Sequence, residues 1–279
     1  MSRMIPDDYC VSTRPYGHWT IEYTLNSIKN CGFRNIEFWA GSPHYCYADY
    51  TPEERQARRE YLKSLLDSYG LRMKVFSPEQ IGSYPLNIAS ENEHVREFCM
   101  QVMLDYVDDA AFFGAEIMRL DGGWQYIDQN KPENLERAVE SIRIIAEKAK
   151  KAGIVLYMEA MGQSSGTFAY NRETLADLLG RVNAENVKGC VNIASLLSGG
   201  ESVDEWFRAL DNQVALVHFA DAGGFVPGEK TDAVAGMLSA VDRQGYKGNK
   251  VLEITFRDCC LVADKVVFRS AEWLRKQNK

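Results

Sequence analysis

Short apolar runs alternate with longer amphipathic stretches along the chain. Runs rich in β-branched and aromatic residues predict eight strands, at roughly Asp8–Ser12, Asn35–Trp39, Arg72–Ser77, Glu116–Leu120, Ile154–Glu159, Gly189–Ile193, Val214–Ala220 and Lys250–Thr255. The intervening stretches predict helices, at Trp19–Asn30, Glu53–Tyr69, Glu91–Phe113, Glu133–Ala152, Arg172–Arg181, Ser202–Leu210, Thr231–Gln244 and Asp258–Gln277. Strands that alternate with helices in this way are typical of a parallel sheet.

Cap residues support several of these helix boundaries. Thr51 followed by Pro52 predicts a helix start, and Ser90 with Glu93 resembles a capping box. Glycine repeatedly turns a predicted helix into the next strand, at Gly32, Gly70, Gly114, Gly153 and Gly245. One supersecondary unit is therefore repeated along the chain.

The length and the strand count decide between two α/β architectures. A chain of 279 residues with eight β–α repeats favours one closed (β/α)₈ TIM barrel over an open doubly wound sheet. No G-x-G-x-x-G follows the first strand, which disfavours a dinucleotide-binding fold. Because no linker or low-complexity tract interrupts the pattern, we expect a single domain over residues 1–279.

Composition narrows the class of protein. The net charge is −7, the pI is about 5.3, and Lys and Arg form no block, so neither nucleic-acid nor membrane binding is expected. Seven cysteines without a C-x-x-C pair suggest reduced thiols. The first residues lack the apolar core of a signal peptide, and we therefore expect a cytoplasmic protein.

Four polar side chains each follow a separate apolar run in the second half of the chain. They are Glu159, Asn192, His218 and Glu253. Parallel strands all end on the same side of a barrel, and in TIM barrels the chemistry lies at that end. We therefore expect these side chains to converge. Two carboxylates, an imidazole and an amide would form an oxygen and nitrogen cage for a divalent metal.

Each of these residues has a structural interpretation as well. Glu159 could point into solvent beyond its strand, and a histidine after an apolar run is often a core residue. Glu253 lies between apolar neighbours, and an exposed edge strand is excluded if the barrel is closed. For Asn192, a structural amide that caps the strand end competes with an uncharged metal ligand.

The first half of the chain supplies candidate walls for a substrate pocket. These candidates are Glu37, Trp39, His44, Glu79, Asp121 and Trp124. All of them close or follow predicted strands two to four. Aromatic faces pack on the C–H faces of sugar rings, while carboxylates and imidazole bond hydroxyl groups. Plain core packing is the competing interpretation for the two tryptophans.

The order of these residues resembles the xylose-isomerase-like barrels, in particular the sugar isomerase/epimerase group that includes the ketose 3-epimerases and fructoselysine 3-epimerase. The similarity runs along nearly the whole chain. It is carried by the segments Gly32–Trp39, Gly41–His44, Ser77–Gln80, Tyr84–Asn87, His218–Asp221, Pro227-Gly228 and Val251–Ile254.

The resemblance implies a metal site and a mechanism. The ligands would be Glu159, Asn192, His218 and Glu253, with the two glutamates also serving as an acid/base pair on opposite faces of a sugar carbon. The cofactor would be a divalent ion, Mn²⁺ in the first place with Mg²⁺ or Co²⁺ as alternatives. The reaction would move a proton next to a carbonyl through an enediolate.

The sequence also departs from the family pattern. Asn192 stands where the family has aspartate, and Ser195 where some members have histidine. Gly224 falls where ketose epimerases have an arginine, and Pro227-Gly228-Glu229-Lys230 replaces Pro-Gly-x-Gly. These differences leave open which sugar is the substrate and whether the metal is retained.

We therefore expect a sugar isomerase or epimerase that acts on a sugar or sugar derivative and forms a homo-oligomer. One alternative is a lyase that cleaves 3-keto C-glycosides at the same metal site, in complex with a small partner subunit. Another is a metal-free sugar-binding barrel. A DNA-repair endonuclease of similar fold is disfavoured, because it needs more histidine ligands and a basic groove.

Overall fold

Eight parallel strands close into a barrel in the computed structural model, which describes residues 4–80, 86–129 and 131–277. The strands are β1 (Tyr9–Ser12), β2 (Asn35–Ala40), β3 (Arg72–Pro78), β4 (Ile117–Arg119), β5 (Val155–Met158), β6 (Val187–Asn192), β7 (Val214–Phe219) and β8 (Asn249–Leu252). Each pairs with the next, and β8 pairs with β1 through Cys10 and Val251. The predicted (β/α)₈ fold is confirmed.

Helices surround the barrel. In the described part of the chain they are α1 (Ile21–Asn30), α2 (Pro52–Tyr69), α3 (Glu93–Phe113), α4 (Pro132–Lys151), α5 (Arg172–Val182), α6 (Ile193–Gly199), α7 (Val203–Ala209), α8 (Ala233–Arg243) and α9 (Ala263–Gln277). Each long helix buries one apolar face; α4, for example, buries Ile142 and Ile145 and exposes Ile144. The main core lies between these faces and the outer side of the strands.

The cap predicted for α2 is confirmed, whereas the cap predicted for α3 is wrong. The capping box of Thr51 and Glu54 is present at the start of α2. At α3, however, the cap is Asn92, whose side chain accepts a hydrogen bond from the backbone N–H of Val95. The predicted box of Ser90 and Glu93 is wrong, because asparagine caps a helix as well as serine does and stands two residues closer to it.

The structure also differs from the prediction at two further helices, α9 and α6. A 3₁₀ turn at Cys259–Val262 precedes α9, which begins at Ala263 rather than at Asp258. Helix α6 was not predicted at all. It starts at Ile193, directly after β6, because Asn192 ends the strand and caps the helix at the same time.

The inside of the barrel follows the two-residue period of the strands. A small apolar cluster fills the lower part, and it includes Cys10, Val75, Ile117, Tyr157, Cys190, Leu216 and Val251. Two positions further along, the same faces carry polar residues, which are Ser12, Arg119, Glu159, Asn192, His218 and Glu253. The fold therefore gathers these polar side chains at the carboxyl ends of the strands.

The structure also bears on membrane-spanning helices and on the state of the cysteines. Among the described residues, no helix has both the length and the apolar character needed to cross a membrane. All seven cysteines are free thiols, and six of them are buried.

Candidate active site

A cavity of about 430 Å³ opens at the carboxyl ends of the strands. Three of the four predicted metal ligands line it: Glu159, Asn192 and Glu253. Arg14 and Arg119 also contribute to its wall. The cavity is therefore polar and carries charges of both signs.

Glu159 and Glu253 meet around two nitrogen atoms. Nδ2 of Asn192 lies 2.6 Å from Oε1 of Glu159 and 3.4 Å from Oε2 of Glu253. Nδ1 of His218 lies 3.2 Å from Oε2 of Glu159 and 3.5 Å from Oε2 of Glu253. The structure thus brings all four strand-end residues together, with the glutamates facing each other across the imidazole and the amide.

His218 is held from below by a further carboxylate. Its Nε2 lies 3.3 Å from Oε1 of Glu37, which also accepts a hydrogen bond of 2.8 Å from the hydroxyl of Tyr157. All three residues are buried. Donation from Nε2 to Glu37 leaves Nδ1 directed at the two glutamates above, which is the arrangement of a metal-ligating histidine and its supporting carboxylate.

These contacts shift the ionisation of the buried groups. Burial by itself lowers the pKa of His218, but Cys190 and the carboxylates of Glu253, Glu37 and Glu159 together raise that pKa well above its ordinary value. Burial alone would raise the pKa of Glu159, yet the neighbouring imidazolium and Arg119 lower it to about 2. Burial would also raise the pKa of Glu37, but His218 and the hydroxyl of Tyr157 lower it. A single positive charge on His218 thus balances part of the negative charge of the surrounding glutamates.

The amide of Asn192 has a fixed orientation. Its Oδ1 accepts a hydrogen bond of 3.2 Å from the backbone N–H of Ser195 and so caps α6. Its NH₂ group therefore faces the two glutamates. Turning the amide over would direct Oδ1 into the site, but it would set Nδ2 against another donor at Ser195. Ligation of a metal by Asn192 stays a prediction that requires this change.

The side chains of the site include donor groups for the divalent metal that the family resemblance implies. Donor atoms of Glu37, His218 and Glu253 lie within 4.8 Å of one another, and so do those of Glu159, Cys190 and His218. Carboxylate and imidazole donors suit Mn²⁺, Mg²⁺ or Co²⁺. A dication here would replace the proton of His218, because a ligating imidazole must be neutral. The residues therefore fit a divalent cation.

Sequence reasoning missed two arginines of this cavity. Nη1 of Arg14 lies 3.3 Å from Oε1 of Glu253, and Arg119 ends β4 inside the barrel. Arg119 could have been found, because it stands two positions after Ile117 and two before Asp121 and so shares their inward phase. Arg14 lies in the loop after β1, where no periodic pattern identifies it.

The predicted substrate-binding residues of β2 and the following loops lie apart from this cavity. Nε1 of Trp39 donates to Oε2 of Glu79 at 3.1 Å. His44 is buried, and its Nε2 lies 2.8 Å from the backbone oxygen of Trp19. Glu37 lies beneath His218, as described above. Their roles toward a substrate stay predictions.

Two further candidates follow β4. Asp121 is buried and accepts a hydrogen bond of 3.0 Å from Nε of Arg119, so it lies behind the cavity wall. Trp124 is half-buried and bonds through its backbone to Asn87. None of the six predicted substrate-binding residues is among the described residues that line the cavity. Tyr84 and Pro85, which contributed to the family resemblance, lie outside the described residues.

Gly224 occupies a crowded backbone position. Its φ is +75°, and a Cβ added there would collide with the hydroxyl of Thr255 and approach the backbone of Phe256. An L-residue is strained at such a φ. Position 224 is therefore strained for any side chain, including the arginine that the family resemblance leads us to expect there.

With the fold and this geometry established, the family can be stated. Residues 25–277 match the family described as the xylose isomerase-like TIM barrel, and the chain belongs to that family. Fructoselysine 3-epimerase of Shigella flexneri is 22% identical over 241 residues, which are 84% of this chain and 85% of that protein. The resemblance inferred from the sequence is confirmed.

Solved structures agree on the fold. D-psicose 3-epimerase from Clostridium cellulolyticum H10, determined with D-tagatose, superposes with a TM-score of 0.78 at 18% identity over 96% of each chain. The 3-keto-D-glucoside 4-epimerase from E. coli superposes with a TM-score of 0.74 at 15% identity, over 98% of this chain and 100% of that one. The similar proteins named here are thus sugar epimerases.

Proposed function

We propose that this protein is a sugar epimerase or isomerase in which Glu159 and Glu253 form the acid/base pair. The observation that carries the proposal is their shared environment: both carboxylates bond Nδ2 of Asn192 and face Nδ1 of His218 at the cavity floor. The similarity to fructoselysine 3-epimerase over most of both chains supports the same class of reaction.

The two glutamates act on one carbon of a keto sugar. One carboxylate removes the proton from the carbon next to the carbonyl, and the C–H electron pair moves to leave negative charge on the carbonyl oxygen. The other, as a carboxylic acid, returns a proton to the opposite face and inverts the carbon. Glu37 and Tyr157 hold His218 in place beneath the pair.

A divalent metal is part of the proposal. Glu159, His218 and Glu253 would hold it, with Asn192 as a fourth ligand if its amide turns. When bound, such an ion supplies a Lewis acid that polarises the substrate carbonyl. Mn²⁺ is the first candidate, followed by Mg²⁺ and Co²⁺. Elemental analysis of protein purified without added metal tests this point.

Deuterium uptake from D₂O tests the reaction. We expect the purified protein to exchange one carbon-bound proton of a ketose from a panel of D-psicose, D-tagatose, D-fructose and fructoselysine, as followed by NMR. Glu159→Gln and Glu253→Gln should each abolish exchange, because an amide cannot accept the proton. Glu185→Gln is the matched control, since Glu185 is exposed, pairs with Lys150 and is not among the described residues of the cavity. Wild-type exchange in either site variant would refute the assignment.

A 3-keto C-glycoside lyase is a second candidate. The similarity in fold to a 3-keto-D-glucoside 4-epimerase favours a 3-keto glycoside as an alternative substrate. Turnover of a 3-keto glycoside without turnover of free ketoses would discriminate the two enzymes. A metal-free sugar-binding barrel is the third candidate, and the NH₂ group that Asn192 presents to the glutamates favours it. Sugar binding without metal or exchange would identify it.

A further inference from the structure

Arg119 occupies an unusual place in the cavity wall. It is nine-tenths buried, and its Nε donates to Oδ1 of Asp121 at 3.0 Å. Its Nη2 lies 3.1 Å from Sδ of Met161, and a thioether sulfur is a weak acceptor. Nη1 makes no hydrogen bond with the described residues, although Arg119 lines the cavity. A rigid guanidinium therefore directs N–H groups without strong acceptors into the cavity.

The charge of Arg119 is held next to the proposed acid/base pair. Burial opposes the charge of this guanidinium, but Asp121, Tyr157, Glu159 and Glu253 raise its pKa well above the ordinary value. Arg119 is thus always protonated. Burying the N–H groups of a charged side chain without acceptors costs free energy of folding. Such a cost is tolerated where a bound ligand accepts hydrogen bonds from these groups.

A second arginine–aspartate pair, between half-buried Arg59 and buried Asp109, provides a contrast. Nη1 of Arg59 donates to Oδ1 of Asp109 at 2.8 Å, where α2 packs on α3. Nη2 of Arg59 bonds to Gln56. Arg59 is not among the described residues that line the candidate active-site cavity. Nε of Arg59 also has no hydrogen-bond partner among the described residues, but Arg59 does not line the candidate active site, whereas the N–H groups of Arg119 without strong acceptors lie in its wall.

Gly224 brings no charge to the cavity, and a Cβ at this position would collide with Thr255. Among the described residues that line the cavity, the positive charges are Arg119, which ends β4, and Arg14, in the loop after β1. We propose that Arg119 is a substrate-binding residue whose free N–H groups donate to the oxygen of a keto sugar on which negative charge develops. This inference rests on the proposed function.

The proposed contact accompanies a balanced proton transfer. A glutamate takes the proton from the carbon beside the carbonyl, and the C–H electron pair forms the new C=C bond. The former carbonyl oxygen receives the negative charge, and the N–H groups of Arg119 stabilise it without losing a proton. Asp121 positions the guanidinium, and its own backbone N–H donates to Oε1 of Gln80 at 3.1 Å.

Substitution of Arg119 tests the contact. Removing one such donor lowers kcat by about 10²–10³-fold in other enzymes, and we expect a similar loss in Arg119→Met with little change in KM. If that variant does not fold, the double variant Arg119→Met/Asp121→Asn removes the unpaired charge and is measured instead. D-psicose and D-tagatose in D₂O are the probes.

Chemical rescue separates binding from a purely structural role. In Arg119→Ala, millimolar guanidinium chloride should restore part of the exchange rate in a saturable manner. Arg59→Met is the matched control: it breaks the Arg59–Asp109 pair and should lower thermal stability, yet leave kcat and KM of the folded protein unchanged.

The outcomes are distinct. Exchange by the wild-type protein, a large kcat loss in the Arg119 variants and guanidinium rescue support the inference. An active wild-type protein whose Arg119 variants keep kcat within a few-fold overturns this inference alone. A wild-type protein that exchanges none of the ketoses overturns the proposed function and this inference together.

Discussion

One atom distinguishes Asn192 from the aspartate that the family resemblance leads us to expect at this position. As asparagine, the side chain caps α6 with its oxygen and gives its NH₂ group to Glu159. An aspartate could make the same cap and also direct a second oxygen into the site. The residue type therefore decides whether the site contains two or three carboxylates at the strand ends.

Asn192→Asp should bind Mn²⁺ more tightly. Adding a carboxylate to the donor set raises the ligand charge, and we expect the dissociation constant to fall by about 10- to 100-fold. Competition with a fluorescent chelator measures it. Asn92→Asp is the matched control, because Asn92 also caps a helix but lies outside the cavity. Equal Mn²⁺ affinity in Asn192→Asp and the wild-type protein would contradict the proposed ligand geometry.

Sequence reasoning located the four strand-end residues because each follows an apolar run, and strand ends converge in a parallel barrel. It missed Arg119 because a charged residue inside a strand interrupts the apolar run from which the strand is predicted. It could not find the contact of His218 with Glu37, since that contact joins two strands through the barrel interior and leaves no periodic signal.

At the level of elements, one side chain organises the loop between β7 and α8. Asp221 is buried, and its Oδ2 accepts hydrogen bonds from the backbone N–H groups of Gly228, Lys230 and Thr231 at 2.8–3.1 Å. Its Oδ1 accepts from the backbone of Ala222 and the hydroxyl of Thr231. The segment His218–Asp221 thus carries a site residue and the anchor of the adjoining loop.

Asp221→Asn should destabilise the protein by about 3 kcal/mol at pH 7, because hydrogen bonds to a charged acceptor are strong and the new NH₂ group faces donors. Burial opposes ionisation of Asp221, but the N–H groups of Thr231, Lys230 and Ala222 lower its pKa. The stabilisation is therefore complete above the unfolded pKa of about 3.9 and is lost as pH falls through the lower folded pKa.

Urea unfolding of the wild-type protein and of Asp221→Asn checks this expectation. The difference in unfolding free energy should be large at pH 7 and should shrink by about pH 3. Asp128→Asn, at an exposed position in the loop after β4, is the control and should show no such difference. A difference in unfolding free energy that does not change with pH would contradict the role given to the Asp221 carboxylate.

The elements themselves were mostly predictable. Alternating apolar runs located all eight strands, and Thr51 located the start of α2. The start of α3 was misplaced because Ser90 and Asn92 are both good caps, and the choice depends on which of them lies at the end of the extended backbone. Helix α6 was missed because seven residues are too few to show a helical period.

At the scale of the whole molecule, the closed barrel concentrates negative charge at its centre. Glu37, Glu159 and Glu253 all lie within bonding distance of His218. A cation that binds there binds only the folded chain, because the three strands that carry the glutamates are far apart in the unfolded chain. Metal binding should therefore be linked to global stability.

Mn²⁺ should raise the melting temperature of the protein. At a free concentration 100 times the dissociation constant, the expected stabilisation is about 2.7 kcal/mol. Differential scanning calorimetry of chelator-treated protein measures it. Glu159→Gln and Glu253→Gln should lose the shift, whereas Glu185→Gln should keep it. No shift with Mn²⁺, Mg²⁺ or Co²⁺ would favour the metal-free sugar-binding barrel.

The bond between Arg14 and Glu253 joins positions 239 residues apart, at the seam where β8 meets β1. During synthesis, the ribosome makes all eight strands and most of the cavity lining before it reaches this glutamate, which directly follows β8. A nascent chain that ends before this point therefore lacks one member of the proposed acid/base pair. The proposed acid/base pair is complete once Glu253 has been made and β8 pairs with β1 to close the barrel.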